Sequence, residues 1–363
     1  MRVMHLHFGR DGGAERFFVH LARSLARHGV QQKTVLRPGR IWRPMIEPWT
    51  DIIESHFRTL SLSRLTLPPR VTRLANTWQP DAMMAWVPKG CKLMPPREGC
   101  VRVMRLGDYP RSLKRFDNAD VIVANAPDII KRVENLGWDG ERHMISNFTS
   151  REYVAPVARS EFQTPDNAVL LVSSGRFVER KGFDVLIRAV EKLPDAYFWL
   201  IGDGDEAQAL HDLVNQLGVA DRVRFIGWQA DIRKFIAAAD VFVMPSRHEP
   251  LGNVVLEAWA QNKPVVSANA EGPRWFMKNG ENGLVVDVDD VTALADAIQK
   301  VASDAALRRR LCAGGQAALS GPFDEEKIVA AYLRLFARHR PDAEALVAQH
   351  LDHAGLVADE VAH

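Results

Sequence analysis

Cysteine is scarce in this sequence, with three residues among 363: Cys91, Cys100 and Cys312. They include no Cys-x-x-Cys pair and leave an odd number, which argues against a disulfide framework and against a cysteine metal site. We therefore expect a protein of a reducing compartment.

Long apolar runs are also missing. No run of roughly eighteen apolar residues occurs, so the sequence predicts no membrane-spanning helix. The segment from Met1 to Phe8 is too short and too interrupted for a signal peptide and predicts a first β-strand. With 47% hydrophobic and 25% charged residues, the composition is that of a globular protein long enough for two domains.

Charge is unevenly distributed, although the net charge is only +2. Residues 1–150 contain 24 Lys and Arg against 14 Asp and Glu, a net of +10, and residues 151–363 contain 23 against 31, a net of −8. A basic half indicates contact with an anionic partner. Ordinary drift in surface charge is the alternative.

Between Ile52 and Trp78 apolar and basic residues interleave. One interpretation is a surface element that rests on anionic lipid headgroups, with arginines outward and apolar side chains dipping in. The other is a strand and an amphipathic helix of the first domain whose charged face is solvated.

Short apolar runs and amphipathic segments predict strands alternating with helices, which is typical of parallel sheets covered on both faces. Gly12 and Gly13 follow the first strand and open a helix, so their N–H groups can approach a ligand closely; a tight turn without a ligand is the alternative. Residues 159–167 lack periodicity and predict a linker, and a second α/β series begins at Val169. This order indicates two doubly wound domains with a cleft between them.

The segment from Ser246 to Ala260 carries the main functional signal. It predicts the end of a buried strand, a loop with Glu249, a helix opened by Gly252, and a second carboxylate, Glu257, inside that helix. The first N–H groups of such a helix can bind an anion. We therefore predict a ligand with a diphosphate between two hydroxyl-rich ends, which describes a nucleotide sugar.

The sequence resembles the retaining glycosyltransferases of family 4. The resemblance rests on motifs in a fixed order: Gly12-Gly13, 175–182, 201–204, 223–227, the pair Glu249 and Glu257, and the strand at 263–266. It implies the GT-B fold, an α/β architecture of two Rossmann-like domains, each a parallel sheet flanked by helices, with an interdomain cleft. On this basis we predict an acceptor-binding domain at 1–158, a nucleotide-sugar-binding domain at 168–323, a helix returning to the N-terminal domain at 324–340 and a C-terminal tail at 341–363.

Four residues form the predicted catalytic set: Glu249, Arg176, Lys181 and Asp108. Arg176 and Lys181 follow a strand and can stabilise the negative charge that grows as a nucleoside diphosphate leaves. The alternative is that Arg180 and Lys181 lie in a solvated loop. The resemblance implies that both cations bind the diphosphate and that Glu249 contacts the transferred sugar. Many family members have a histidine where this chain has Gly107, and Asp108 is the candidate substitute.

The resemblance also implies a set of residues that bind the donor. Glu257 is expected to bind the ribose hydroxyls, and the backbone amides that begin at Pro250 are expected to lie along the sugar and phosphates. The base is expected near Arg224. The donor-binding residues are Glu257, Gly12, Gly13, Ile226, Gly227, Pro250, Leu251, Gly252 and Asn253. UDP is the first expectation for the nucleotide and GDP the second.

We expect no cofactor and no metal. Two Asp-x-Asp strings, at 203–205 and 287–289, suggest a metal-bound diphosphate, but the two cations and the helix terminus already supply a positive field. The family's favoured mechanism is attack on the face from which the phosphate departs, with that phosphate accepting the acceptor's proton, so no dedicated base is needed.

The sequence therefore predicts a retaining, metal-independent glycosyltransferase that moves a hexosyl group from a nucleoside-diphosphate sugar to an anionic, lipid-anchored or polysaccharide acceptor such as a lipopolysaccharide core. We expect it in the cytoplasm, peripheral on the inner face of the cytoplasmic membrane through its basic half, with no nucleic-acid partner. The alternatives are a nucleotide-sugar epimerase or hydrolase on the same scaffold, and a non-catalytic sugar-nucleotide-binding protein.

Overall fold

The computed structural model describes residues 1–10, 12–57 and 63–361, with side chains except at residues 63 and 354–361. The chain forms two compact units. Unit 1 contains Met1–Phe148 and Asp324–His363, and unit 2 contains Thr149–Phe323.

Unit 1 has a seven-stranded parallel sheet in the order β3-β2-β1-β4-β5-β6-β7. Its strands are β1 (Arg2–His7), β2 (Gln31–Leu36), β3 (Asp51–Glu54), β4 (Ala82–Ala85), β5 (Val101–Leu106), β6 (Val121–Ala124) and β7 (Glu141–Met144). Its helices are α1 (Gly13–Arg27), α2 (Arg43–Ile46), α3 (Ser63–Trp78), α4 (Pro88–Cys91), α5 (Pro127–Asn135), α13 (Glu325–Ala337) and α14 (Ala343–Val361).

Side chains alternate between the two faces of this sheet, as a strand's period of two requires. Val121 and Val123 of β6 pack with α1 and α13, whereas Ile122 and Ala124 pack with α3 and α5 on the other face. The four residues are fully buried because helices cover both faces, which explains why the strands read as continuous apolar runs.

The segment from Ile52 to Trp78 contributes to β3 and forms α3; residues 58–62 lie outside the described chain. Leu67, Val71 and Ala75 of α3 are buried in the core of unit 1, and the Arg70 and Arg73 side chains are exposed. The described residues of this segment therefore form a strand and an amphipathic helix of the domain, and contact of the exposed arginines with lipid stays a prediction.

Unit 2 has a six-stranded parallel sheet in the order β10-β9-β8-β11-β12-β13. Its strands are β8 (Val169–Ser174), β9 (Ala196–Ile201), β10 (Val223–Gly227), β11 (Val241–Met244), β12 (Val265–Ala268) and β13 (Leu284–Val286). Its α-helices are α6 (Phe183–Glu191), α7 (Ala207–Gln216), α8 (Arg233–Ala238), α9 (Asn253–Ala260), α10 (Glu271–Phe276), α11 (Val291–Ser303) and α12 (Ala305–Leu319).

The structure divides the chain after Phe148, and residues 159–167, which the sequence predicts as a linker, lie within unit 2. They include a 3₁₀ turn, Arg159–Phe162. The Arg159 guanidinium anchors the segment, since it donates to the Asp240 carboxylate at 3.0 Å and to the carbonyls of Ala168 and Ala238 at 2.9 Å. An irregular sequence here is a packed segment rather than a free connection.

The residues that the structure describes include no helix with both the length and the apolar character needed to cross a lipid bilayer.

Candidate active site

The order of strands in unit 2 places two loops side by side. Strand β8 pairs with β9 on one side and with β11 on the other, so the connections leave in opposite directions and open a space at the carboxyl edge of the sheet. The loop after β8 contains Arg176 and Lys181, and the loop after β11 contains Glu249. Ligands of doubly wound sheets bind at such a point.

Lys181 and Glu249 meet at this point. The Lys181 ammonium donates to Glu249 Oε2, and these side chains are only 14% and 12% exposed. Ser246 Oγ adds a longer contact to the same oxygen at 3.4 Å. The structure therefore joins two residues of the predicted catalytic set in one largely buried ion pair, and their catalytic roles stay predictions.

Gly182 permits the two loops to approach this closely. Its backbone is left-handed, with φ +63°. A Cβ atom added there would lie 2.2 Å from the carbonyl oxygen of Pro245, the residue that follows β11. Only glycine fits both the conformation and the space.

Arg247 fastens the β11 loop to the β8 loop, and nothing in the sequence indicated this role. Its guanidinium donates to both carboxylate oxygens of Asp184, at 2.8 and 2.7 Å, to the Glu179 carbonyl at 2.8 Å and to Asp289 Oδ1 at 2.6 Å. Burial acts to raise the pKa of Asp184, but the hydrogen bonds and charge of Arg247, together with backbone hydrogen bonds, hold this pKa below its ordinary value. The pKa of Arg247 is raised, chiefly by its hydrogen bonds to Asp184.

Glu271, the first residue of α10, holds the other side of the Glu249 loop. Its carboxylate accepts from the Glu249 backbone N–H at 3.2 Å and contacts His248 Nδ1 at 2.8 Å. Burial acts to raise the pKa of Glu271, and backbone and His248 hydrogen bonds lower it below the ordinary value. The Gly272 N–H donates to the Glu249 carbonyl at 2.8 Å, so Glu249 is fixed through both of its main-chain groups.

Helix α9 begins immediately after this loop. Gly252 precedes it with φ +93°, and the Val255 N–H bonds back to the Gly252 carbonyl at 2.9 Å. Pro250 has no N–H, so any donor in the predicted stretch comes from Leu251, Gly252 or Asn253. Glu257 lies in the helix interior and is 8% exposed. A carboxylate this deeply buried requires polar partners, which suits a residue that accepts from hydroxyl groups.

The other predicted donor residues of unit 2 lie along the same edge. Arg176 is exposed in the β8 loop. Gly227 ends β10, and its carbonyl accepts from the Gly202 N–H at 3.0 Å. Ile226 is half-buried beside it. The Arg224 guanidinium instead donates to the carbonyls of residues 162 and 163, at 2.9 and 3.1 Å, and so holds the 3₁₀ turn rather than projecting as a free side chain.

Carboxylates of the two Asp-x-Asp strings have partners within unit 2. Asp203 Oδ1 accepts from the Gly204 N–H at 2.7 Å, and Asp289 pairs with Arg247. Asp290, the next residue, caps α11 by accepting from the Ala293 N–H at 2.8 Å. In residues 1–10, 12–57 and 63–361, no three His, Cys, Asp or Glu side chains are grouped so that they could hold a metal ion.

Unit 1 contains the remaining predicted residues. Gly12 precedes α1 and Gly13 is its first residue, at the carboxyl edge of β1. Asp108 follows β5, is exposed, and its Oδ1 accepts from the Tyr109 N–H at 2.8 Å. A role for these residues in catalysis or donor binding stays a prediction.

The side chain nearest to Gly107 is that of Arg105, which sequence reasoning overlooked. A Cβ atom at Gly107 would lie 3.1 Å from Arg105 Nη1. The guanidinium donates to Asn147 Oδ1 and lies over the rings of Phe17 and Trp86, at 4.6 and 4.9 Å. Burial lowers the pKa of Arg105. The guanidinium thus occupies space beside the position where family members carry a histidine.

Comparison with known proteins agrees with this architecture. Residues 155–317 match the family described as "Glycosyl transferases group 1". The chain is 54% identical over 337 residues to the lipopolysaccharide core biosynthesis glycosyltransferase LpsE of Rhizobium meliloti (strain 1021), covering 93% of this chain and 99% of LpsE. It is 46% identical to LpsD of the same organism, also a lipopolysaccharide core biosynthesis glycosyltransferase, covering 93% and 98%.

The fold has a solved counterpart in Anabaena HepE, crystallised in complex with UDP-glucose. The two structures superpose with a TM-score of 0.77 at 24% identity, over 92% of this chain and 99% of HepE. The chain therefore belongs to the group 1 glycosyltransferases, and the predicted GT-B fold is confirmed, whereas the assignment to retaining family 4 stays a prediction. It is a glycosyltransferase.

Proposed function

We propose that this protein is a retaining, metal-independent glycosyltransferase that transfers a hexosyl group from a nucleoside-diphosphate sugar to a lipopolysaccharide core. The acceptor is supported by the near full-length similarity to LpsE and LpsD, both named as lipopolysaccharide core enzymes. A UDP-sugar is the preferred donor, supported by the HepE complex with UDP-glucose, and a GDP-sugar is the second choice.

The observation that carries the proposal is the Lys181–Glu249 pair at the point where β8 and β11 diverge, next to the start of α9. A phosphate oxygen of the donor takes the place of Glu249 as the partner of Lys181. The released Glu249 carboxylate then accepts from hydroxyl groups of the sugar. Arg176 and the first N–H groups of α9 share the diphosphate charge, and Glu257 accepts from the ribose hydroxyls.

In the proposed reaction, the bond between the sugar C1 and the phosphate oxygen breaks and its electron pair stays on the phosphate. The acceptor hydroxyl oxygen forms the new bond to C1 on the same face, and its proton passes to the departing phosphate. Lys181 and Arg176 stabilise the transition state because the negative charge on the diphosphate grows as the bond breaks. Asp108 of unit 1 is the proposed contact to the transferred sugar in place of the missing histidine.

We further propose that the protein works at the inner face of the cytoplasmic membrane, where its basic N-terminal half contacts anionic lipid. The net charge of +10 over residues 1–150 supports this, as does the exposure of Ile41 and Met45 at 55% and 49%. Association with phosphatidylglycerol vesicles should weaken as salt is raised, because mobile ions screen the attraction. Binding that does not depend on salt or on lipid charge would exclude the electrostatic contribution.

A donor screen by thermal shift, followed by a transfer assay, tests the function. We expect a UDP-sugar to raise Tm, since a ligand that binds the folded state stabilises it. With a truncated lipopolysaccharide core as acceptor, NMR of the product should show the anomeric configuration of the donor. Lys181→Ala and Glu249→Ala should abolish transfer, whereas Lys300→Ala, on exposed α11 surface, should not.

Three results would contradict the proposal. Release of free or epimerised sugar without acceptor at the rate of the full reaction would indicate a hydrolase or epimerase. Tight donor binding without turnover on any core acceptor would indicate a binding protein. An inverted product would exclude same-face attack.

A further inference from the structure

The carboxyl edge of the unit 1 sheet gathers three guanidinium groups that the proposed donor chemistry does not use. Arg10 follows β1, and Arg37 and Arg40 follow β2 on a turn in which Gly39 has φ +70°. Strands β1 and β2 are parallel neighbours, so both loops lie at the same edge. We propose that Arg10, Arg37 and Arg40 bind an oxyanion of the acceptor saccharide, a carboxylate or a phosphate. This assigns the acceptor's anionic subsite and so rests on the proposed function.

The three arginines are close enough to repel one another. The pKa of Arg40 is lowered, first by burial and then by the charges of Arg37 and Arg10, with Glu15 acting in the opposite direction. Within the part of the chain that the structure describes, none of the three forms an ion pair with a carboxylate. A cluster of like charges that forms no ion pair among these residues favours an anionic ligand.

The side chains are held in place by main-chain acceptors and not by carboxylates. Arg37 Nη2 donates to the Phe57 carbonyl at 3.3 Å and Arg40 Nη2 contacts the Phe8 carbonyl at 3.5 Å. The Nε atoms of Arg37 and Arg40 are enclosed, and neither has a hydrogen-bond partner among the described residues. Enclosed donors of this kind are costly, which is typical of side chains positioned for a ligand.

The aromatic core fixes the Arg10 main chain. The Trp42 indole N–H donates to the Arg10 carbonyl at 2.8 Å. Trp42 is itself buried, with its ring centroid 4.9 Å from that of His7 and 5.6 Å from that of Phe18. The loop that carries Arg10 is therefore tied to the interior of unit 1 and is preorganised relative to the Arg37–Arg40 turn.

A small oxyanion fits this arrangement better than a bilayer surface does. Arg10 is exposed, but Arg37 and Arg40 are half-buried. A flat layer of headgroups contacts side chains that protrude, whereas an anion on a saccharide can enter between two loops. The guanidinium fork matches the two oxygens of a carboxylate or phosphate, which gives the cluster more selectivity than charge alone.

The test separates this site from the donor site. In a Lys181→Ala background, inorganic phosphate, D-galacturonate and neutral D-galactose are titrated at constant ionic strength, and apparent Kd values are taken from the rise in Tm. Adding Arg37→Gln and Arg40→Gln should raise the Kd for both anions at least about tenfold, the equivalent of one charge-assisted hydrogen bond. The matched control removes two exposed charges from α3, Arg70→Gln and Arg73→Gln, and should leave both Kd values unchanged.

Unchanged anion affinity after loss of Arg37 and Arg40, or an equal loss in the α3 control, would overturn the proposal. So would a selective loss of phosphatidylglycerol vesicle binding with anion affinity intact, because the arginines would then serve the membrane. If the double variant fails to fold, Arg40→Lys replaces it, since it keeps the charge and loses the fork; the same weakening is expected.

UDP binding, measured on the same variants, keeps the two proposals apart. Introduced alone into the wild-type protein, Lys181→Ala should weaken UDP binding. Arg37→Gln and Arg40→Gln, introduced together into the wild-type protein, should leave UDP binding unchanged. Failure of UDP to bind the wild type would refute the proposed donor and leave the anion titrations valid. A parallel loss of UDP and phosphate on removing Arg37 and Arg40 would show a single site and overturn the acceptor subsite.

Discussion

Replacing Gly182 with alanine should separate the two loops that bring Lys181 and Glu249 together. The added methyl group would lie 2.2 Å from the Pro245 carbonyl oxygen and 3.1 Å from its carbonyl carbon. A carbon and an oxygen rarely approach closer than about 3.3 Å, so one loop must move by about 1 Å. Pro245 leads directly into the loop of Glu249, so the movement lengthens the Lys181–Glu249 contact.

The structure provides a control that isolates this contact. Gly218 has φ +66°, almost the value of Gly182, but a Cβ atom added there meets nothing within 4 Å. Each alanine should lower the free energy of unfolding by about 1–2 kcal/mol because it forces a side chain onto a left-handed backbone. Gly182→Ala should lower the free energy of unfolding by about 1–3 kcal/mol more than Gly218→Ala does, because its methyl group overpacks the contact with Pro245.

Calorimetry and a donor titration measure the difference. An extra 1–3 kcal/mol corresponds to a further fall of about 2–12 °C in the Tm of a domain of this size. Gly182→Ala should also weaken donor binding, and Gly218→Ala should not. Equal falls in Tm for the two variants, or unchanged donor affinity in Gly182→Ala, would refute the assignment of Gly182 as the point where the loops are joined.

Three further predictions concern Glu257, Arg247 and His5. Glu257→Gln should raise the Kd for UDP about tenfold through the lost charge-assisted bonds, and an equal loss with 2′-deoxy-UDP would argue against a ribose contact. Arg247→Lys loses the bidentate contact to the half-exposed Asp184, so it should lower kcat and reduce the free energy of unfolding by no more than about 1 kcal/mol, measured by calorimetry. A reduction above about 3 kcal/mol would contradict this weak contribution. Burial lowers the pKa of His5 to about 4, so the unfolded state binds the extra proton and the stability contributed through His5 should fall by about 3 kcal/mol between pH 6.5 and 4. Burial also lowers the pKa of His7, which adds to the loss in unit 1. His5→Gln should flatten that fall in Tm, and an unchanged slope would place the titrating group elsewhere.

The sequence predicted the features that local patterns encode. The alternation of strands and helices follows from runs such as 121–124. The ordered motifs from Gly12 to Glu257 predicted the GT-B fold and a glycosyltransferase, both of which are confirmed. Lys181 was expected near a diphosphate, and the structure adds that it pairs with Glu249. Roles for these residues in catalysis stay predictions.

The contacts that hold the site together could not be predicted. Arg247 and Asp184 are 63 positions apart and His248 and Glu271 are 23 apart, and neither pair lies in a periodic pattern. Such pairs exist only once the sheet order brings β8, β11 and β12 to one edge. The same holds for Arg105, because a buried arginine in a strand looks like a surface residue in sequence.

Unit 1 is assembled from two segments that are separated in sequence by the whole of unit 2, and this affects the order of folding during synthesis. Tyr332, Leu333 and Phe336 of α13 complete the core over α1, whereas unit 2 is built from a single continuous segment. Unit 2 can fold as soon as residue 323 has left the ribosome, whereas the core of unit 1 is complete only after residues 332–336 have emerged. Until then the places in that core that Tyr332, Leu333 and Phe336 fill stay open, so unit 1 is the half of the protein with the longer exposure to aggregation during synthesis.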